Sequence, residues 1–171
     1  MNENEEHPKI RQEYLKLFEK YLEDYPGYGE AAERRISDES VRAAALAALE
    51  NLLAHLPSLR NFLAANFKNN LLSDMGEIEN VLDRASQRLE APPYAVSLFF
   101  SARRINDETA QRIADSDWEI VLWANRAHEL LRETLTTETD FNALLARLLN
   151  LALDLELRLD ERFSLIGEYQ G

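Results

Sequence analysis

The sequence contains no cysteine, and only five glycines and five prolines in 171 residues. Without cysteine there is no disulfide framework, no zinc finger, no iron–sulfur site and no thiol nucleophile. So few turn formers leave little material for the connections of a many-stranded β fold. Basic charge is also scarce. Nineteen Lys and Arg stand against 31 Asp and Glu, a formal charge of −12. Such a chain repels phosphate backbones at long range, so direct nucleic-acid binding is not expected. The pairs Arg34-Arg35 and Arg103-Arg104 are isolated among acids and read as solvated helix-end charges.

Long apolar runs are missing too. The nearest candidate, Leu144 to Leu159, is interrupted by Arg147, Asn150, Asp154, Glu156 and Arg158, so neither a membrane span nor a membrane partner is expected. The start, MNENEEHPKIRQEY, carries Glu3, Glu5 and Glu6 where a secretory leader needs a basic start and an apolar run. The expectation is a cytoplasmic protein in which residues 1–171 form one helical domain and residues 1–7 a disordered acidic tail. The composition, 46% hydrophobic and 29% charged, suits a chain with a substantial core.

What the sequence does contain is helical periodicity. It predicts an all-α fold, a compact bundle of six or seven helices. Pro8 opens a first helix whose apolar positions run from Ile10 to Tyr25, ended by Pro26-Gly27. Asp38 reads as the cap of a helix over 39–56 stopped by Pro57, and a third helix follows over 58–72. Ser73 or Asp74 caps a fourth, with Ile78, Val81, Leu82, Ala85 and Leu89 as its stripe. A fifth is expected over 94–105 after Pro92-Pro93, although its run Ala95 to Phe100 also suits a short strand. Asn106 opens a short helix over 107–114. Ser116-Asp117-Trp118-Glu119 then reads as a capping box that begins another helix, reaching about residue 135.

The last segment carries two patterns. From Leu151 to Leu159 the residues alternate as L-A-L-D-L-E-L-R-L, the period of a half-buried strand. They are nevertheless helix formers without a β-branched member, and Phe141, Leu145, Leu148, Ala152, Leu155, Leu159 and Phe163 form an intact helical stripe. A helix is the expected outcome. Leu149, Leu153 and Leu157 then occupy a second face, which places the helix either at the centre of the bundle or at an interface between subunits. Central burial is the preferred expectation.

Ser-Asp recurs at 37–38, 73–74 and 116–117, at spacings typical of helical-hairpin repeats. The stretch from Asp38 through Val41, Ala45 and Ala48 to Leu49 resembles the inner helix of a HEAT-type repeat. At an offset of 79 residues Val41, Ala45, Ala48 and Leu52 correspond to Ile120, Ala124, Ala127 and Leu131. The resemblance covers about a dozen residues and implies HEAT-like pairing of helical hairpins.

No chemical signature stands out. His7, His55 and His128 lack the Glu three residues before them that a di-iron bundle needs, and no metal or cofactor is expected. Glu30-x-x-Glu33 resembles one half of the paired acidic motif of helical nucleotide pyrophosphohydrolases, but no second pair follows. Asp154, Glu156, Asp160 and Glu161 alternate with Arg158 and Arg162, which makes salt bridges their simplest role. Phosphate loops and nucleophile elbows are absent, and Ser86, Ser101 and Ser164 have no identifiable base.

Three functional expectations follow. The first is a non-catalytic interaction module, an adaptor or regulatory subunit, with an unidentified protein partner or a second copy of itself. Its candidate contacts are the aromatic stripe Tyr14, Phe18, Tyr21 and Tyr25 on the first helix, and Leu149, Leu153 and Leu157 on the last. The aromatic stripe also suits plain packing onto the bundle. The second is a small-molecule or enzymatic pocket near Trp118, Trp123 and His128. The third is an acidic inhibitor, or nucleic-acid mimic, of a basic partner.

Overall fold

The computed structural model describes residues 12–134 and 140–169. They form five α-helices: α1 (Gln12–Phe18), α2 (Ala31–Ala65), α3 (Leu72–Glu90), α4 (Asp107–Thr134) and α5 (Phe141–Gly167). Two 3-10 turns, Asn69–Leu71 and Leu98–Phe100, complete the regular structure, and no strand occurs among the described residues.

Interhelical pairs fix the directions of the elements. α2 and α3 form an antiparallel hairpin, with Arg60 against Glu79 at 2.5 Å near its tip and Arg42 Nη1 donating to the Leu89 carbonyl at 2.8 Å toward its open end. α4 and α5 form a second, held by Arg147–Glu133 at 2.7 Å and Arg162–Asp117 at 2.6 Å. The hairpins lie side by side: Arg84 pairs with Glu156 at 3.1 Å and Arg88 with Asp160, so α3 and α5 run parallel in a constant register. It follows that α2 runs parallel to α4. α2 packs on α3 and α4, and α5 packs on the same two, which leaves α2 and α5 on opposite corners.

The α3–α4 connection, residues 91–106, therefore crosses the open end of the bundle corner to corner. It buries Tyr94, Phe99, Phe100 and Ile105 there as a plug. These residues join a single core cluster that includes Trp123, which is fully buried and donates its indole N–H to the Leu151 carbonyl at 2.7 Å.

Five helices replace the expected six or seven because several predicted pieces are continuous. Pro57 lies inside α2. Its missing N–H frees the Leu53 carbonyl, but Pro57 is exposed, so the gap falls where water can fill it. α2 also begins earlier than expected, at Ala31, where the Glu33 carboxylate accepts from the Glu30 amide at 2.9 Å. The Glu30-x-x-Glu33 pair is thus a helix start. Ser37 and Asp38 lie two turns inside α2 and are buried. In the same way residues 107–114 and 117–134 are one helix, capped by Asn106, whose Oδ1 accepts from the Thr109 amide at 2.7 Å. With that helix already running, Ser116 has no free first-turn amides to cap.

Two predicted helices shrink. The 94–105 segment turns only briefly, because burying three of its aromatic rings at the bundle end outweighs helix continuation. The first helix stops at Phe18, and the chain past it places Tyr25 and Tyr28 against α4. The alternating segment Leu151–Leu159 is helix throughout, and Asp140 caps α5 by accepting from the Asn142 and Ala143 amides at 3.0 and 3.3 Å. No helix among the described residues is long and apolar enough to cross a membrane.

Candidate functional site

The strongest concentration of polar chemistry lies inside the protein, near the open end of the bundle. Arg162 of α5 is fully buried. Its Nε donates to Asp117 Oδ1 on α4 at 2.6 Å, and its Nη1 donates to Asp38 Oδ1 on α2 at 2.7 Å and to the Tyr94 hydroxyl at 2.6 Å. Asp117 Oδ2 accepts from Tyr25 at 2.7 Å and also from Tyr28. Asp38 Oδ1 accepts from Tyr94 at 2.6 Å, and its Oδ2 accepts from Arg42 at 2.9 Å. Every carboxylate oxygen is bonded, and two guanidiniums balance two carboxylates. Such pairing is what an ionic group needs to remain in a low-dielectric interior.

The environment sets the protonation of each member. For Asp38 burial pushes upward, but Arg162, the Tyr94 hydroxyl and Arg42 outweigh it and hold the carboxyl below its ordinary range. For Asp117 burial dominates and raises the carboxyl against the pull of Arg162, Tyr28 and Tyr25. Tyr25, Tyr28 and Tyr94 are all pushed up, first by burial and then by the neighbouring carboxylates. A network whose carboxylate oxygens are all bonded, with only the buried Arg162 Nη2 left without a partner, and which brings together three helices, the crossing connection and the segment before α2, is a lock for the fold. It presents no unpaired base to a substrate.

A second buried cation stands beside it. Arg34, expected to be a solvated helix-end charge, is fully buried. Its Nη2 donates to the Ala102 carbonyl at 2.6 Å, and its guanidinium lies 5.7 Å from the Phe99 ring centroid. Arg35 is exposed, as expected, and lies over Phe100.

The aromatic stripe mostly faces inward. Phe18 is fully buried, stacked on Tyr25 at 4.0 Å and edge-on to Trp118 at 5.6 Å. Tyr25 is tied to Asp117. Tyr21 remains 48% exposed, and the Tyr14 side chain lies outside the described residues, as do His7 and the expected acidic tail. Trp118, Trp123 and His128 do not converge. They recur every five residues, and each such step turns about 140° around a helix. Trp123 is sealed in the core, whereas Trp118 is partly exposed. His55 sits one turn above Asn51, with its Nδ1 2.7 Å from the Asn51 carbonyl, inside α2 and not at a helix end.

The last helix gives the clearest departure from expectation. α5 buries Leu144, Leu145, Leu148, Ala152, Leu155, Leu159 and Phe163 against the bundle. Leu149 is half-buried, while Leu153 and Leu157 are 45% and 54% exposed. Central burial of that face is therefore overturned. With α3 on one side and α4 on the other, α5 already has its core stripe covered, and the second apolar face is left to solvent. Ion pairs border it on both sides: Arg84–Glu156 and Arg88–Asp160 toward α3, Arg126–Asp154 and Arg158–Glu119 toward α4. The acidic cluster of α5 is thus engaged in salt bridges. Among the described residues no group of three or more His, Cys, Asp or Glu is placed to hold a metal ion.

Where α4 and α5 part near the open end, a groove of about 940 Å³ lies between them. Trp118, Leu165 and Tyr169 give it apolar walls. Comparison of the chain with known protein families, with characterised proteins and with solved structures finds no match.

Proposed function

We propose that the protein is a non-catalytic interaction module that docks an amphipathic helix of a partner protein along the outer face of α5. The observation that carries this reading is the exposure of Leu153 and Leu157, one turn apart, on the most apolar of the four long helices described. Leu149, Leu153 and Leu157 lie in one row of four-residue steps. Such rows pack into the matching grooves of another helix at an interaxial angle near −50°. The bordering ion pairs hold the long side chains of α3 and α4 to either side, which keeps the leucines accessible.

One partner helix suits this ridge better than a second copy. Three leucines fall well short of the roughly 800 Å² per subunit of a standing dimer, and two chains of charge −12 repel each other. The sealed Asp38–Arg162–Asp117 network supports the non-catalytic part of the reading, since the groups best suited to acid–base work are spent on one another. Parallel pairing of α2 with α4, whose Val41, Ala45 and Ala48 correspond to Ile120, Ala124 and Ala127, supports a HEAT-like description of the two hairpins. All six side chains are buried.

The test is photo-crosslinking from position 157 in native lysate, followed by identification of the attached segment. Attachment to a segment apolar on one helical face, abolished by Leu153→Glu, is the expected result. Attachment to a second copy of this chain, or none at all, overturns the reading.

A further inference from the structure

The row of four-residue steps does not end with the leucines. From Leu157 it passes to Glu161 and then Leu165, and both of these line the groove between α4 and α5. A helix laid along the ridge brings its end over that groove. The groove is acidic on balance: Asp115 and Glu119 from α4, with Glu161 and Glu168 from α5, line it beside Arg112, and Arg158 at its edge offsets Glu119 at 3.3 Å and Glu161 at 3.9 Å. Its walls are apolar at Trp118, Leu165 and Tyr169. Among the lining residues, the Ser116 hydroxyl oxygen is buried and has no hydrogen-bond partner. Mid-helix, where no cap is needed, that oxygen remains an unused acceptor.

These features together match one kind of side chain. Lysine and arginine carry an apolar stem and a cationic head, and here an apolar wall leads to a carboxylate rim. We infer that the groove receives a lysine- or arginine-bearing turn of the partner helix and thereby selects basic amphipathic helices over acidic ones. The inference rests on the reading of α5 as a docking face and adds the chemistry of the partner. The chain's overall charge of −12 works in the same direction, drawing basic segments in and turning acidic ones away. Because the rim is exposed, the attraction is screened by salt, whereas contact with Leu153 and Leu157 is not.

The test uses two tryptophan-free synthetic helices of about five turns, each with leucines along one face. One carries lysines and the other glutamates on the flanks. Binding is read from Trp118 fluorescence, because Trp123 is sealed in the core. The lysine helix binds, the glutamate helix does not, and Glu161→Gln with Glu168→Gln weakens binding about three- to tenfold, the scale of two exposed ion pairs. Raising ionic strength from about 0.01 to about 0.15 M shortens the screening length from ~30 to ~8 Å. This weakens binding to the unaltered protein more than binding to the double variant. Both glutamates are exposed, and circular dichroism checks that the double variant stays helical.

Equal affinity and equal salt dependence for the glutamine variant, with binding lost in Leu153→Glu/Leu157→Glu, overturns the groove inference and leaves the docking face intact. Failure of the lysine helix to bind overturns both. Spermine binding as tightly as the helix assigns the groove to a small polycation and overturns the inference.

Discussion

Replacing Arg162 with methionine tests whether the buried network holds the fold. The substitution keeps most of the length of the side chain and removes its charge and its donors. It leaves Asp38 with Arg42 and Tyr94, but leaves Asp117 with only the hydroxyls of Tyr25 and Tyr28. Asp117 is fully buried, and an uncompensated buried charge of this kind costs about 3–5 kcal/mol. For a domain of this size each kcal/mol lowers Tm by roughly 2–4 °C, so a fall of about 6–20 °C is expected. The control is Arg84→Met at the surface pair with Glu156, where the guanidinium-bearing side chain is 55% exposed and the loss is about 1 kcal/mol or less. Adding Asp117→Asn to Arg162→Met removes the stranded charge while keeping an acceptor for the two tyrosines. The double variant is therefore expected to be more stable than Arg162→Met alone. Denaturant unfolding followed by fluorescence and circular dichroism gives the stabilities of these four proteins and of Asp117→Asn alone, which completes the double-mutant cycle, with coincident transitions confirming a two-state process. A cost below about 1 kcal/mol for Arg162→Met, or strict additivity in the double variant, would falsify the network's role.

Other predictions concern separate parts of the molecule. Tyr25, Tyr28 and Tyr94 have folded-state pKa values above the unfolded value of about 10. The stability they contribute is therefore complete below that pH and is lost as pH rises through the folded values. In an alkaline titration read by phenolate absorbance these three should ionise together with unfolding, and gradual ionisation in the folded state would contradict the network. Asp38 has the opposite sign. Its lowered carboxyl contributes stability above the ordinary aspartate range that fades as pH falls through its folded value, and Asp38→Asn should flatten that acid limb. Phe67 has φ 55° at the end of α2 and is 89% exposed. Relief of left-handed strain, about 1–2 kcal/mol, exceeds the extra unfolded-state freedom of glycine, about 0.5–1 kcal/mol. Phe67→Gly should accordingly raise Tm by a few degrees, and a fall would show that the ring makes contacts of its own. Leu153→Glu/Leu157→Glu should leave stability unchanged within about 0.5 kcal/mol per site, as at other surface positions. A collapse of the fold would place that face in the core after all.

The helical class and the core stripe of α5 were legible because they follow from periodicity alone. Phe141 to Phe163 repeats at helical spacing whatever the partners are, and it outweighs the alternating pattern from Leu151 to Leu159. The polar core was not legible. Ser37-Asp38 and Ser116-Asp117 have the composition of caps, and nothing within ten residues of either reveals an arginine 124 or 45 positions away. Pro57 misled for a related reason: a proline ends a helix only where its lost bond cannot be made good, and that depends on which side faces water. The candidate docking leucines were visible as a second apolar face, but whether that face was inside or outside depended on how many neighbours α5 has. The groove was invisible, since Asp115 and Glu119 meet Glu161 and Glu168 only after the second hairpin closes.

The crossing connection sets the order in which the protein can assemble. Each hairpin joins helices adjacent in sequence, so its contacts are local and its closure is fast. The Asp38–Arg162 bond spans 124 residues and cannot form until both hairpins have met with the crossing connection between them. The network is then a late event in folding, largely absent from the barrier. Its removal should accelerate unfolding far more than it slows folding. The same two acids and one arginine would thus determine how long the protein persists once folded, a property of its lifetime more than of its rate of formation.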